Sequence, residues 1–374
     1  MFTIPLEIST AINTLNAHGH SAFIVGGCVR DTLMGVTPND YDITTSATPQ
    51  EIVNIFEKTI PTGIKHGTVT VLINKNPIEI TTFRTEGAYT DCRRPDKVEF
   101  VKSLKEDLSR RDFTINALAY NQKEGLVDYF CGQEDIKNKT LRTVGESEKR
   151  FKEDALRILR LFRFASTLNF EIEENTLKAA LKCGNLLSFV SRERIAVELK
   201  KAVLGNNIKI FKPLFEIGGL KFLKITKTPD FEKITTLNEN LAFFEFLSGN
   251  EEALLELKPA NCEKQYFSNL NYLLSLDKPK TKLEIKEMLN KTSIEIVSDY
   301  LNYTNQNHTL LEEVLRLNEP YKISHLKISG DDLLKLGFKG KEIKEKLEFL
   351  RHLVIENPSL NTKEKLLENL NVTL

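Results

Sequence analysis

The stretch from Phe23 to Thr45, FIVGGCVRDTLMGVTPNDYDITT, limits what this chain can become more than any other. A short apolar run (Phe23, Ile24, Val25) meets a glycine pair (Gly26, Gly27) and then Val29-Arg30-Asp31. A second strand-like run follows, opened by Asp40-Tyr41-Asp42 and closed by Ile43-Thr44-Thr45. A strand, a glycine turn and a helix start make an anion site. Backbone N–H groups at a helix N-terminus point at the ligand, and missing Cβ atoms let a phosphate approach. Arg30 adds a cation able to grip phosphate oxygens in two places. If residues 40–42 are extended, Asp40 and Asp42 point to one face, and paired carboxylates plus a phosphate are the usual holders of Mg²⁺. Alone, a Gly-Gly pair is more often a plain turn, and Asn39-Asp40 after Pro38 fits turn chemistry. The two features together, 13 residues apart with one short helix between them, are much more restrictive.

A length of 374 residues predicts two to four domains. Basic and acidic residues balance at 52 each, so any nucleic-acid site must come from local clustering. The five cysteines are scattered and lack C-x-x-C spacing, which argues against a disulfide framework or a zinc site. The first Lys or Arg is Arg30, and no apolar run approaches the ~18 residues of a membrane span. A soluble, cytoplasmic protein with no membrane partner is expected; nothing in the composition sets an oligomeric state.

Along the chain, Ile8, Ile12 and Leu15 predict an amphipathic helix over Leu6–Ala17. The helix after the glycine pair should run to about Met34, where Gly35 ends it, and Asp40–Thr44 should be a strand. Thr48-Pro49-Gln50-Glu51 carries a capping box. Residues 66–73 and 78–84 alternate as two strands joined by a turn at 74–77. Glu79 is either a third metal carboxylate or a solvent-facing strand residue. Residues 85–98, with Arg93-Arg94, read as a mobile surface loop. Arg110 and Arg111, before a short helix, can meet phosphates, with Asp112 bracing one of them. Leu126–Phe130 reads as a last short strand.

Residues 151–166, FKEDALRILRLFRFAS, predict one largely buried helix in which Asp154, Arg157, Arg160 and Arg163 recur every third position. At about 100° per residue each step falls short of a full turn, so Asp154 and Arg157 are neighbours while Arg163 lies about half a turn away. Charged groups on such a helix either pair internally or face a cleft holding an anion or a base. The segment 191–199 reads as a capped, mainly structural helix. Near the end, a helix starts after Ser329. The amphipathic segment 343–355, with Lys341, Lys344, Lys346 and Arg351, is usually a solvated face.

GGCVRD followed by NDYDITT resembles the catalytic signature of the bacterial tRNA nucleotidyltransferase/poly(A) polymerase family, within the polymerase-beta-like nucleotidyltransferases. LSRRDFTINALA and FKEDALRILRLFRFAS match further family motifs, so the likeness is close over residues 26–198 and loose over 328–370. The resemblance implies an α+β protein: a small mixed-sheet head (1–140), then an elongated, all-helical neck carrying the nucleotide-selecting helix (141–206), body (207–320) and tRNA-binding tail (321–374). It implies template-independent addition of C, C and A to the 3′ end of tRNA from CTP and ATP. Asp40 and Asp42 would be catalytic and hold Mg²⁺. Gly27, Arg30 and Arg111 would hold the triphosphate. Asp154 and Arg157 would read the base, with Arg160 and Arg163 in the nucleotide site. The loop at 85–98 would help the enzyme accept ATP after CTP. The rivals are a poly(A) polymerase, which would typically carry a longer basic C-terminal extension, and a partial CC- or A-adding enzyme. A catalytically inactive RNA-binding protein is a different class, which the intact Asp40 and Asp42 oppose. A sugar transferase leaves the arginine helix unexplained.

Overall fold

The computed structural model describes residues 3–87 and 98–370. The chain forms two compact units, residues 1–248 with 256–258, and residues 249–255 with 259–374.

The first unit starts with α1 (Leu6–Ala17), β1 (Ala22–Val25), α2 (Gly27–Leu33), β2 (Asp42–Thr45) and α3 (Pro49–Ile55). Then come β3 (Thr59–Gly63), β4 (Thr68–Ile73), β5 (Asn76–Thr82), β6 (Arg84–Glu86), β7 (Val98–Phe100), α4 (Leu104–Ser109), β8 (Leu118–Asn121) and β9 (Gly125–Asp128). Seven strands make one mixed sheet in the order β3-β4-β5-β2-β1-β8-β9; β2 and β5 run parallel and the other pairs antiparallel. Alternation sorts the side chains. Ile24, Ile43, Val69, Val71, Ile78 and Ile80 join the core that includes α1. Phe23, Val25, Phe83 and Ala119 turn the other way, onto Leu104 and Leu108 of α4. Val25 pairs with Asp42 and Phe23 with Thr44, so Asp42 and Thr44 belong to the α4 side of the sheet.

The α3 capping box forms as expected, with Thr48 accepting from the Glu51 N–H. The 74–77 turn tightens to Asn74-Lys75, both at positive φ. Three expectations shift. The strand begins at Asp42, leaving Asp40 ahead of it. The short helix lies before Arg110-Arg111 as α4, and only a single 3₁₀ turn, 114–116, follows them. Residues 85, 86 and 98 are strand, because β6 and β7 pair antiparallel. The rest of the anticipated loop, Arg93-Arg94 included, lies outside the described residues.

After α5 (Gly132–Lys137) the unit is nearly all helical, with α6 (Ser147–Glu153), α7 (Leu156–Leu168), α8 (Glu174–Lys182) and α9 (Arg192–Ala202) leading. The predicted helix over 151–166 is broken at Asp154, whose backbone is extended (φ −138°, ψ 103°). Asp154 Oδ1 accepts the Leu156 N–H at 3.1 Å, so its side chain caps α7 instead of lying on the helix wall.

The second unit is helical. Its tail core gathers Leu333, Leu350, Val354 and Leu366 around the helices Gly330–Lys335 and Lys341–Glu356, the former with a Ser329–Asp332 capping box. Arg351, expected on the exposed basic face, is buried between Glu287 and Glu348. Lys286 is buried too, pairing with Glu319 and donating to the Ile355 carbonyl. Among the described residues, no helix is long and apolar enough to cross a membrane.

Candidate nucleotide and metal site

Gly26 makes the turn between β1 and α2 possible. Its φ of +83° is one that side chains rarely adopt, and an added Cβ would lie 3.0 Å from Nη1 of Arg111. The guanidinium of Arg111 thus closes over the glycine turn. It also reaches toward β2, where its charge draws the Asp42 carboxyl down against two opposing effects. Burial pushes that carboxyl up most strongly, the Asp40 charge pushes it up further, and the net shift is upward. Asp42 still keeps open surface, as does Asp40. Among the described residues neither side chain accepts a hydrogen bond or forms an ion pair, so their oxygens remain available. Two open carboxylates form an all-oxygen donor set suited to a hard divalent cation.

Glu79 shares the Asp42 face of the sheet on the neighbouring strand and is exposed. No group of three or more His, Cys, Asp or Glu side chains able to hold a metal occurs among the described residues. A two-carboxylate set is still adequate for Mg²⁺, which typically keeps water and substrate phosphate in its remaining positions.

The arginines are held by carboxylates, several of which the sequence reading did not single out. Asp107 on α4, fully buried, accepts from Arg110 at 2.8 Å, lies 3.7 Å from Arg111, and accepts from the Thr44 hydroxyl at 3.2 Å. Its charge is kept by those two arginines against burial, and its carboxyl sits below the ordinary value. Asp112, expected to brace Arg110 or Arg111, instead takes Arg160 through two donors, Nε at 2.8 Å and Nη2 at 2.6 Å. Burial raises the Asp112 carboxyl, but Arg160 and Asn116 outweigh it and bring it to about 2. Arg30 is pinned as well: Nη1 donates to Asn116 at 2.7 Å, and Nε and Nη2 donate to Asp31. Asn116 donates onward to Asp112 at 3.1 Å, which links α2 to α7 by side chains alone. Phe164 sits among Arg30, Arg160 and Arg163, whose guanidinium carbons lie 5.2, 5.3 and 3.7 Å from its ring centre. Arg163 also pairs with buried Glu198.

Asp154 and Arg157 were expected to be neighbours on one helix. Asp154 instead stands ahead of α7, its carbonyl accepts the Arg157 N–H at 3.0 Å, and the two side chains take different partners. Arg157 donates to Glu153 at 2.8 Å, to the Arg150 carbonyl and to the Arg110 carbonyl. Asp154 accepts from Arg194 of α9 at 2.8 Å. The i, i+3 and i, i+4 spacings of Asp107–Arg110, Asp107–Arg111 and Glu153–Arg157 were readable in the sequence. The Asp154–Arg194 pair spans 40 residues and had no local signal.

Comparisons with known proteins identify the family. The family model described as the poly A polymerase head domain matches residues 22–142, and that of a probable RNA and SrmB-binding site of polymerase A matches 169–229. The curated CCA-adding enzyme of Staphylococcus epidermidis is 37% identical over 94% of this chain and 93% of its own length. That of Bacillus cereus is 36% identical, covering 96% of each. The crystal structure of the Bacillus stearothermophilus CCA-adding enzyme in complex with CTP superposes with a TM-score of 0.83 at 31% identity, over 98% of this chain and 97% of that one. A Thermotoga maritima CCA-adding enzyme complexed with tRNA shares the fold at a TM-score of 0.71, over 97% of this chain and 94% of that one. Matched to these relatives over nearly its whole length, the chain belongs to the family of CCA-adding enzymes, the tRNA nucleotidyltransferases.

Proposed function

We propose that this protein completes tRNA 3′ ends in the cytoplasm, adding C, C and A from CTP and ATP without a nucleic-acid template, with Mg²⁺ held by Asp40 and Asp42. The observation that carries the reading is the convergence at Arg111: one guanidinium stands over the Gly26 turn, and its charge acts on Asp42. A triphosphate seated there would meet donors at its oxygens and carboxylates at its metal.

When bound, Mg²⁺ would neutralise charge on the triphosphate and the leaving pyrophosphate and make the attacking hydroxyl easier to ionise. The chain's own groups do the positioning. The Gly27 backbone N–H and Arg111 hold phosphate oxygens at the turn. Arg30, fixed by Asp31 and Asn116, and Arg160 and Arg163, stacked about Phe164, keep that side of the site cationic.

Asp154 and Arg157 select the base. Cytosine and adenine each present an amino donor beside a ring-nitrogen acceptor on the pairing edge. Uracil and guanine present the reverse, a carbonyl beside an N–H. A carboxylate acceptor with a guanidinium donor therefore matches the first pair and opposes the second. Arg157 still has donors to offer: of five N–H groups, three are engaged by Arg150, Glu153 and Arg110. The finer division into head, neck, body and tail at residues 140, 206 and 320, with tRNA held by the tail through phosphate contacts, belongs to the same reading.

The test is Mg²⁺-dependent extension of a labelled tRNA lacking its last three nucleotides. Two additions with CTP alone and three with CTP and ATP support the proposal. A long ladder with ATP alone would replace it with poly(A) synthesis.

A further inference from the structure

The carboxylate assigned above to base reading is not free to turn. Asp154 uses one oxygen to cap α7, accepting the Leu156 N–H at 3.1 Å. Its other oxygen accepts from Arg194 Nη2 at 2.8 Å, across from α9. Both residues are largely covered, with side-chain exposures of 18% for Asp154 and 29% for Arg194. Each carboxylate oxygen has a second lone pair, so both anchors can stay in place while the group accepts one more donor.

The orientation matters because Asp154 discriminates only when an acceptor oxygen faces the amino group of the base. The backbone contact to Leu156 fixes one oxygen, and Arg194 fixes the second. Arg194 Nη1 is also buried with no hydrogen-bond partner among the described residues.

We propose that Arg194 is a positioning residue for nucleotide choice: it holds the Asp154 carboxylate aimed, so that bases bearing an amino group are accepted and those bearing a carbonyl at that place are refused. The inference rests on the reading that Asp154 reads the base. Arg194 acts through Asp154 and need not touch the nucleotide.

The experiment measures kcat/KM for CTP, ATP, UTP and GTP on tRNA lacking its terminal nucleotides, for the full chain and for Arg194→Met, Arg194→Lys, Asp154→Asn and the double variant Asp154→Asn/Arg194→Met. Arg194→Met should lower the CTP-to-UTP preference about tenfold, the worth of one hydrogen bond to a charged group, mostly through KM. Arg194→Lys keeps the charge but loses the fork, and should recover part of that preference. The double variant should discriminate no worse than Asp154→Asn alone, because the two act as one unit.

A preference unchanged within about twofold in Arg194→Met, with only a lower melting temperature, would overturn the proposal. If Arg194→Met does not fold, an unchanged preference in Arg194→Lys overturns it equally. The control keeps the two failures apart. If Asp154→Asn leaves the preference intact, base reading by Asp154 falls. If Asp154→Asn collapses it while the Arg194 variants do not, the role of Arg194 alone falls.

Discussion

Replacing Asp112 by asparagine tests the link between the glycine-turn helix and the arginine helix. Asp112 is 8% exposed. Its Oδ1 accepts from the Phe113 N–H at 2.8 Å and from Asn116 at 3.1 Å, and its Oδ2 accepts from two nitrogens of Arg160. In Asp112→Asn the amide oxygen can keep the first two bonds, but the amide nitrogen then faces the Arg160 donors. The magnitude can be worked two ways. The carboxyl is lowered from 3.8 to about 2, which corresponds to about 2 kcal/mol of stability at neutral pH. Removing one partner of a buried pair costs about 3–5 kcal/mol, which is too high here because Arg160 keeps Glu198 at 3.8 Å and is one-third exposed. The expectation is a loss of about 2–3 kcal/mol, or a roughly 30- to 150-fold faster amide exchange across residues 113–121. Hydrogen exchange suits a chain of two units because it reads local opening without assuming one global transition. The sign with pH follows from the lowered carboxyl. The stabilisation is complete above the unfolded value of 3.8 and disappears as pH falls toward about 2, so the ratio of variant to parent exchange should shrink in that window. A ratio below about threefold at neutral pH, or one that persists at pH ~2, would refute the argument.

Three further outcomes follow from the same geometry. Asp42→Asn should abolish nucleotide addition without lowering the melting temperature, because burial and Asp40 already disfavour the ionised form; extension assays and thermal unfolding check both halves. Gly26→Ala should cost about 1–3 kcal/mol of backbone strain and displace Arg111, seen as a lower melting temperature together with a raised KM for CTP. Lys286→Met, in the second unit, leaves Glu319 with Lys282 at 2.7 Å as its remaining ion-pair partner among the described residues, and should lower stability by about 2 kcal/mol in urea unfolding. An unchanged midpoint would mean that Lys282 alone satisfies that carboxylate.

Much of the first unit could be read from local chemistry. The apolar run, the glycine pair and the capping box at Thr48 act over a few residues, and α1, β1, α2 and α3 formed where those signals lay. The same local rules held at Asp107 and Glu153, whose spacing to their arginines is that of a helix turn. They failed where the backbone departs from its regular period. Residues 151–166 are so uniformly apolar between their charges that a single helix is the natural reading. Asp154 breaks it because its side chain caps α7 and takes a partner from α9.

By itself, the sequence determined which residues are the candidates for the chemistry: two aspartates, a glycine turn and a run of arginines, each set by residue type and short-range spacing. Only the tertiary structure decided how those charges are paired. Arg160 goes to Asp112, Arg30 to Asn116 and Asp154 to Arg194, partners 48, 86 and 40 residues away. The physical reason is that a buried charge needs an opposite charge or a hydrogen bond within about 3 Å, and which group comes that close is set by how sheet and helices pack, not by neighbours along the chain.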